Sequence, residues 1–275
     1  MKKKTKKNIG MAIAVAVVAI AGYQVFTIHK EYAAADSEYE DIVSSVYIAD
    51  DTYVPEKTEE PADNGEADAA GEEEASPYFG DGNFPRLVID HEALKKVNDL
   101  YQGWLYVPCL DISYPVVQYT DNEYYLHHTF ENTENNSGCI FIDSGNRSGL
   151  ESYNTIIYGH NMKNGSMFGS MRKILTNSSI IKDDPYIYFY SEDGVRAYQV
   201  YSYHRTKPES NDFVYQGTQM MYWEYIDRAL ADRLEDMDVS VDKSRNSIML
   251  STCNGSGESK QRLVIHAINV GFYNY

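Results

Sequence analysis

The stretch that decides the fold is SIMLST, at Ser247–Thr252, an apolar and β-branched run that is followed directly by Cys253. A second run of the same kind, NTIIY at Asn154–Tyr158, is followed by Gly159 and His160. Short runs of this composition, bounded by polar or glycine-containing turns, are typical of buried β-strands. Arg262 opens a further apolar run nine residues after the cysteine. The sequence therefore predicts a thiol, an imidazole and a guanidinium at the ends of three strands.

Similar runs recur through the second half of the chain and predict its fold class. They are Gly103–Val107, Tyr114–Tyr119, Cys139–Asp143, Asn154–Tyr158, Tyr186–Tyr190, Val195–His204, Ser247–Thr252 and Arg262–Phe272. Eight strands at this spacing, with few long helices between them, predict a mainly β domain, either a largely antiparallel barrel or a sandwich.

One helix is predicted before these strands and three between them. They are a first helix capped by Asp90 and running to Leu100, short helices at Asp121–His128 and Ser166–Leu175, and a long one at Thr218–Leu234. In the longest, Trp223, Ile226, Leu230 and Leu234 recur at helical spacing. A stripe of this kind packs against a core, so we assign it no chemistry.

The first thirty residues predict a membrane anchor. Five lysines precede an uncharged run at Ile9–Ile28, and twenty helical residues extend for about 30 Å, the hydrocarbon thickness of a bilayer. The lysine cluster is expected to stay in the cytoplasm, with everything after Lys30 outside. The alternative is a cleaved secretory signal, since Ala33–Ala35 offers small residues at a possible cleavage site. Both interpretations export the rest of the chain.

The charge of the chain is concentrated in one segment. The net charge is −17, yet residues 31–76 alone contain sixteen acids and one base, Lys57. Such a composition, rich also in Ala, Gly and Pro, buries too little apolar area to fold by itself. We therefore divide the chain into a tail and anchor at 1–30, an acidic disordered stalk at 31–83 and a folded domain at 84–275. No basic patch interleaved with aromatics is present, so nucleic acid is not expected as a partner.

Three cysteines cannot all pair, and in an exported protein an odd thiol is either reactive or accidental. Cys109 and Cys139 lie among apolar neighbours and are expected to be small buried hydrophobes. Cys253 differs, because polar residues follow it. The sequence contains no Cys-x-x-Cys pair, calcium-loop spacing or GK[ST] phosphate loop, and we expect no metal and no cofactor.

The three strand-end groups are the equipment for acyl transfer through a thioester. A thiolate can attack an amide carbonyl, and an imidazole can carry the proton to the departing amine. A fixed guanidinium stabilises the oxyanion of the tetrahedral intermediate. Each residue also has a structural alternative: a buried thiol for Cys253, a loop residue for His160 and an ion pair with Glu258 for Arg262. Because His160 comes from a distant strand, the sequence alone does not bring it to the other two.

Three segments resemble the signature segments of the sortases, the membrane-anchored cysteine transpeptidases of Gram-positive bacteria. They are YGHNM at Tyr158–Met162, LSTC at Leu250–Cys253 and RLV at Arg262–Val264. Three further segments and the long helix before the cysteine strand resemble class B sortases in particular. The segments are Gly103–Pro108, Tyr114–Gln118 and Asn122–Leu126. The resemblance extends from about Phe84 to Phe272. It implies an eight-stranded sortase-type β-barrel with an N-terminal helix and a long helix inserted before the cysteine strand.

The resemblance also implies roles for individual residues. Cys253 would be the nucleophile, His160 the acid and base, and Arg262 the group that stabilises the oxyanion and orients substrate. Four residues of this chain match positions that line the sorting-signal groove in class B enzymes. They are Asn122, Leu126, Tyr158 and Ser251.

This chain departs from the family pattern at two places. Where sortases often have a threonine just before the Ser-Thr-Cys segment, it has Met249-Leu250, which should affect packing more than chemistry. Class B members frequently have an acid directly after the cysteine, whereas here Asn254 and Gly255 follow, and Glu258 is a weak substitute.

The sequence therefore predicts a class B sortase-like transpeptidase on the outer face of a Gram-positive cell membrane. It would cleave a carboxy-terminal sorting signal of secreted proteins and pass the acyl group to an amine of peptidoglycan or its lipid-linked precursor. A thiol endopeptidase with the same residues and a non-catalytic surface binding module remain as alternatives.

Overall fold

The computed structural model describes residues 2–48, 84–253 and 261–274. In chain order its elements are α1 (Lys2–Ser44), β1 (Tyr47–Ile48), β2 (Leu87–Val88), α2 (His91–Val97), β3 (Tyr101–Val107), β4 (Ile112–Gln118), β5 (Ile140–Ile142), β6 (Asn154–His160), α3 (Ser179–Asp183), β7 (Tyr186–Ser191), β8 (Gly194–Thr206), α4 (Gln219–Ala231), β9 (Ser247–Cys253) and β10 (Arg262–Asn274). All eight predicted strand runs are confirmed, with ends that differ by a few residues.

Eight of these strands close into a barrel in the order β10-β8-β7-β3-β4-β5-β6-β9. Neighbours are antiparallel except β4 with β5 and β6 with β9, which are parallel. Closure leaves no free sheet edge in the barrel, which removes the main hazard of an all-β fold. The eight-stranded barrel is therefore confirmed, and the sandwich alternative is wrong.

Large aromatic and branched side chains fill the barrel core. Trp104, Tyr198, Phe189 and Ile265 are all completely buried. The indole of Trp104 satisfies its N–H by donating to Ser113 Oγ at 3.0 Å. An aromatic ring with a polar end can be buried in this way without leaving its donor unpaired.

Helix α4 is confirmed, but its buried face differs from the predicted stripe. The Thr218 hydroxyl caps it by accepting from Met221 N. Of the four predicted core positions only Ile226 is fully buried; the other buried residues are Tyr222, Tyr225 and Ala229. Trp223 is 44% exposed and Leu234 lies past the end of the helix. Tyrosines take the core positions because their hydroxyls reach partners inside, so a hydrophobic periodicity that ignores tyrosine gives the wrong face.

Two of the other predicted helices are only 3₁₀ turns. Asp121–His128 contains one turn at Tyr124–Leu126, and Ser166–Leu175 is a 3₁₀ helix at Gly169–Leu175. The first helix of the domain is confirmed as α2, with Asp90 as its cap accepting from Ala93 N at 2.8 Å. Short segments of this kind gain too little from helical hydrogen bonds to be helical on their own, so barrel packing decides their shape.

Helix α1 extends well beyond the predicted anchor. Within the described residues one helix, Ile13–Ser44, is long and apolar enough to cross a membrane by length and composition, with a mean hydropathy of 1.5. The prediction of disorder from residue 31 is wrong for residues 31–44, because Ala35 and Tyr39 are buried against the barrel, 1% and 4% exposed. The acidic segment has too few apolar residues to form a core of its own. One face of its first part, residues 31–44, packs against the core of the barrel instead. The remainder of the predicted stalk, residues 49–83, lies outside the described residues.

Candidate active site

Three adjacent strands bring the predicted catalytic residues to one end of the barrel. Strand β6 runs parallel to β9, and their register pairs His160 with Cys253 at the last position of both strands. Strand β10 runs antiparallel to β9 and begins at Arg262, so it starts at the same end. The backbone of Cys253 is described through β9, whereas its side chain lies outside the described residues. Two residues that are 93 positions apart in sequence are thus neighbours because the pairing is parallel.

The imidazole of His160 is held from one side by a backbone carbonyl. Its Nε2 lies 2.9 Å from the carbonyl oxygen of Leu126. A carbonyl can only accept, so Nε2 is the nitrogen that bears the hydrogen, and Nδ1 remains for proton exchange. Burial lowers the pKa of His160, an effect that the Leu126 hydrogen bond opposes. The ring is therefore neutral at physiological pH.

The guanidinium of Arg262 lies against two aromatic rings. Its Cζ is 5.5 Å from the ring centroid of Tyr158 and 5.0 Å from that of Phe213, and the two rings are stacked 6.3 Å apart. Contact with two ring faces orients a cation without neutralising it. Arg262 Nε is buried and has no hydrogen-bond partner among the described residues. The planar group is thus fixed in place with a buried N–H that a substrate oxygen could use.

Two of the four predicted groove residues share a hydrogen-bond acceptor that the sequence analysis did not assign. Asp143 Oδ2 accepts from Asn122 Nδ2 and from the Tyr158 hydroxyl, both at 2.9 Å. Leu126 is placed separately from this group, with its carbonyl oxygen against His160 Nε2. Asp143 follows β5 directly, and an acid at a strand end beside these segments is the signal by which it could have been found.

Ser251 is placed differently from the other predicted groove residues. It pairs with Tyr158 in the β6–β9 register and is completely buried. Its hydroxyl has no hydrogen-bond partner among the described residues. A buried hydroxyl without a partner is uncommon in a folded protein, which keeps Ser251 of interest as a predicted substrate contact.

A second buried polar group supports the loop that presents Phe213. His204, Asp212 and His266 each offer a possible metal-ligand atom within 4.8 Å of the others. A tetrahedral zinc ion needs nitrogen and oxygen donors about 3.4 Å apart, given bonds of about 2.1 Å.

Several atoms of this cluster already have protein partners, whereas His204 Nδ1 and His266 Nε2 are buried with none among the described residues. Asp212 Oδ2 accepts from Ser210 Oγ at 2.8 Å, and His266 Nδ1 pairs with the Tyr225 hydroxyl at 2.7 Å. His204 Nε2 lies 3.3 Å from Asp212 Oδ2. We interpret the group as a structural network that fixes the residue before Phe213.

The other two cysteines are buried thiols, as predicted. Cys139 is completely buried, Cys109 is half-buried, and neither is in a disulfide. Burial raises the pKa of each to about 12, so both are protonated at physiological pH.

Comparison with known proteins identifies the family. Residues 105–270 match the family described as Sortase domain. Sortase B of Listeria monocytogenes is 35% identical over 179 residues, which are 62% of this chain and 70% of that protein. The X-ray structure of Clostridium perfringens sortase B is similar with a TM-score of 0.61 and 27% identity, covering 66% of this chain and 99% of that one. The Staphylococcus aureus sortase B–substrate complex is similar with a TM-score of 0.61 and 28% identity, covering 66% and 84%.

These relatives are similar to this chain in sequence, and the solved ones also in fold. The family match spans more than half of the chain, and each relative above is a sortase B. The chain therefore belongs to the sortase family and, within it, to the class B cysteine transpeptidases.

Proposed function

We propose that this transpeptidase acts through Cys253, His160 and Arg262 on a peptide sorting signal. The observation that supports the proposal most directly is the β6–β9 register, in which His160 is the partner of Cys253 at the strand ends. A thiol nucleophile needs a base within reach, and neighbouring strands are about 5 Å apart.

In the proposed first step, Cys253 Sγ attacks the carbonyl carbon of the scissile peptide bond and its proton passes to His160 Nδ1. Collapse of the tetrahedral intermediate breaks the carbon–nitrogen bond, and His160 returns the proton to the departing amine. A thioester remains on the enzyme. In the second step, the amine of an acceptor attacks the thioester, a new amide bond forms, and the proton that the acceptor loses returns to the cysteine.

Arg262 is proposed to stabilise the oxyanion of both tetrahedral intermediates. Its guanidinium is held by the rings of Tyr158 and Phe213 and is not neutralised by a carboxylate in any ion pair of the described residues. A cation fixed in this way needs no reorganisation when negative charge develops on the substrate oxygen. Lysine would provide the charge but not the planar, orientable group.

The substrate is proposed to be an extended peptide that lies along the wall formed by Asn122, Leu126, Tyr158 and Ser251. A solved relative, the Staphylococcus aureus sortase B–substrate complex, supports the binding of a substrate by this fold. The acceptor is proposed to be an amine of peptidoglycan or of its lipid-linked precursor. In the membrane topology that we propose, α1 crosses the cell membrane with its lysines in the cytoplasm, and the barrel is extracellular.

The test uses the full-length chain in detergent micelles or nanodiscs with a peptide library, with and without a short peptide that has a free amino terminus. We expect amine-dependent ligation and a covalent acyl-enzyme mass on Cys253, both lost in Cys253→Ala. His160→Asn should form no thioester, and Arg262→Lys should lose activity by about a hundredfold. Turnover that ignores the added amine would assign a thiol endopeptidase. No turnover, with Cys253 alkylated no faster than Cys109, would assign a binding module.

A further inference from the structure

The part of α1 that follows the apolar run is docked on the loop that leads into β5. Asn135 Nδ2 donates to the carbonyl of Glu31 at 2.8 Å, and Glu131 N donates to Glu38 Oε1 at 3.0 Å. At the edge of the same interface Asn164 Nδ2 donates to Asp36 Oδ2 at 3.0 Å. These contacts are between the anchor helix and the catalytic barrel, outside the barrel's own hydrogen-bond ladder.

Tyr39 is the residue by which α1 reaches deepest into this interface. It is 4% exposed, its hydroxyl donates to the carbonyl of Gly138 at 2.8 Å and accepts from Phe130 N at 3.2 Å. Its ring meets Tyr114 edge-on, with centroids 5.5 Å apart. Both functions of the hydroxyl are thus used, and the ring is locked by a neighbour, so the position of the Gly138 carbonyl depends directly on α1.

Gly138 lies against the catalytic imidazole. Its backbone is left-handed, with φ +61°, and a Cβ built on it would lie 2.9 Å from His160 Cδ2 and 3.1 Å from the Leu126 carbonyl oxygen. That carbonyl is the partner of His160 Nε2. The next residue, Cys139, donates its N–H to the Tyr125 carbonyl at 2.9 Å, which fixes the same turn from the other side. The backbone at Gly138 therefore forms the surface on which the ring of His160 rests.

We propose that Tyr39 is a positioning residue for His160, acting through Gly138. The proposal depends on the assigned role of His160 in the reaction. The tyrosine hydroxyl holds the Gly138 carbonyl, Gly138 supports the edge of the imidazole, and Nδ1 is thereby aimed at the end of β9. A residue of the anchor helix thus belongs to the machinery that orients the reacting groups, although it never touches substrate. Removal of this hydroxyl should therefore affect the proton-transfer steps and leave peptide binding unchanged.

The test compares Tyr39→Phe with Asp36→Asn in the full-length chain in nanodiscs. Tyr39→Phe removes two hydrogen bonds between α1 and the barrel, one of which ends on Gly138. Asp36→Asn weakens the Asn164 contact by removing its charge, and that contact does not touch Gly138. We expect kcat to fall about fivefold in Tyr39→Phe, the effect of losing the hydrogen bond to Gly138, with KM unchanged. Asp36→Asn should keep both constants within about twofold of the unmodified chain. Replacing Tyr39 with 4-aminophenylalanine, which restores an N–H donor at the para position, should recover the rate.

Three results separate the possible outcomes. Rates are measured at a temperature at which circular dichroism shows each variant to be folded, so lost activity does not reflect lost fold. If Tyr39→Phe and Asp36→Asn behave alike, or if 4-aminophenylalanine fails to restore kcat, the positioning role is wrong and Tyr39 only stabilises the interface. If His160→Asn keeps its rate in the same assay, the proposed function itself fails, whatever the Tyr39 variants do.

Discussion

Gly138→Ala should damage catalysis far more than it damages stability. A Cβ at this position would lie 2.5 Å from the Tyr125 carbonyl oxygen and 2.9 Å from His160 Cδ2. An ordinary contact is longer by up to roughly 1 Å, so either the backbone or the imidazole must move by a large fraction of that distance. In oriented reactions a misplacement of about 1 Å can cost on the order of a hundredfold in rate. We therefore expect kcat for amine-dependent transpeptidation to fall by about that factor.

The chain provides a matched control in Gly149→Ala. Gly149 has φ +52°, close to the +61° of Gly138, but a Cβ there would meet nothing within 4 Å. Each substitution places an L-residue in the left-handed region, at a cost of about 1–2 kcal/mol. For a domain of this size that lowers Tm by about 2–8 °C. The two variants should thus share the backbone cost, and Gly138→Ala should lose about 1–3 kcal/mol more to its steric contacts. Only Gly138→Ala should lose activity.

The assay is the amine-dependent ligation rate at saturating peptide, measured beside thermal unfolding of the same samples. The expected pattern is a hundredfold separation in kcat at a temperature at which both variants are folded, with the lower Tm in Gly138→Ala. Equal rates for Gly138→Ala and Gly149→Ala would refute the reasoning, because the steric contact with His160 would then have no consequence for the reaction. If Gly138→Ala keeps its kcat but raises KM for peptide, the contact at Gly138 affects peptide binding and not the catalytic step.

Three further predictions follow from the buried and titrating groups. Iodoacetamide at pH 8 should label Cys253 and leave Cys109 and Cys139 unmodified, because burial raises the pKa of each of these two thiols to about 12. Mass spectrometry of the digested protein measures the labelling of each cysteine, and early labelling of Cys139 would contradict the prediction. Burial lowers the pKa of His266 to about 3, so the unfolded chain binds a proton that the native state does not. The free energy of unfolding should therefore fall by about 3 kcal/mol between pH 6.5 and pH 4, and His266→Gln should flatten that slope in urea titrations. Asp143→Ala should raise KM for peptide by about tenfold with a smaller change in kcat, because the side chains of Asn122 and Tyr158 lose their shared hydrogen-bond acceptor. An unchanged KM would show that Asp143 has no role in the groove.

The strands could be predicted from the sequence because each one is a short run of apolar and β-branched residues. The topology could not. The two runs Ser247–Thr252 and Asn154–Tyr158 are equally apolar. Nothing in either run indicates that they pair in parallel, with paired residues 93 positions apart. Periodicity reports which residues are buried in an element, but the partner of an element depends on the whole barrel. The family resemblance supplied the topology that local patterns lack.

The sequence predicted the placement of residues that end a strand, and it missed residues that contact them from other segments. Cys253, His160 and Arg262 meet at one end of the barrel because each lies at a strand end. Phe213 was missed, since it belongs to a polar segment without periodicity, although its ring is 5.0 Å from the guanidinium. Tyr39 was missed because the acidic composition of its surroundings predicted disorder. Composition averages over a segment, whereas one buried tyrosine is enough to dock it.

The docking of α1 changes the role that the acidic segment can have. The apolar run ends at Ile28, and the first contact with the barrel is made by Glu31, about 5 Å farther along the helix. After α1, Tyr47 pairs with Val88, so the residues that flank the segment 49–83 are neighbours. In the proposed topology, α1 fixes the barrel next to the membrane through the contacts of Glu31, Glu38 and Tyr39. The first part of the acidic segment would then hold the barrel close to the membrane rather than away from it, with Tyr39 as the residue proposed to position His160.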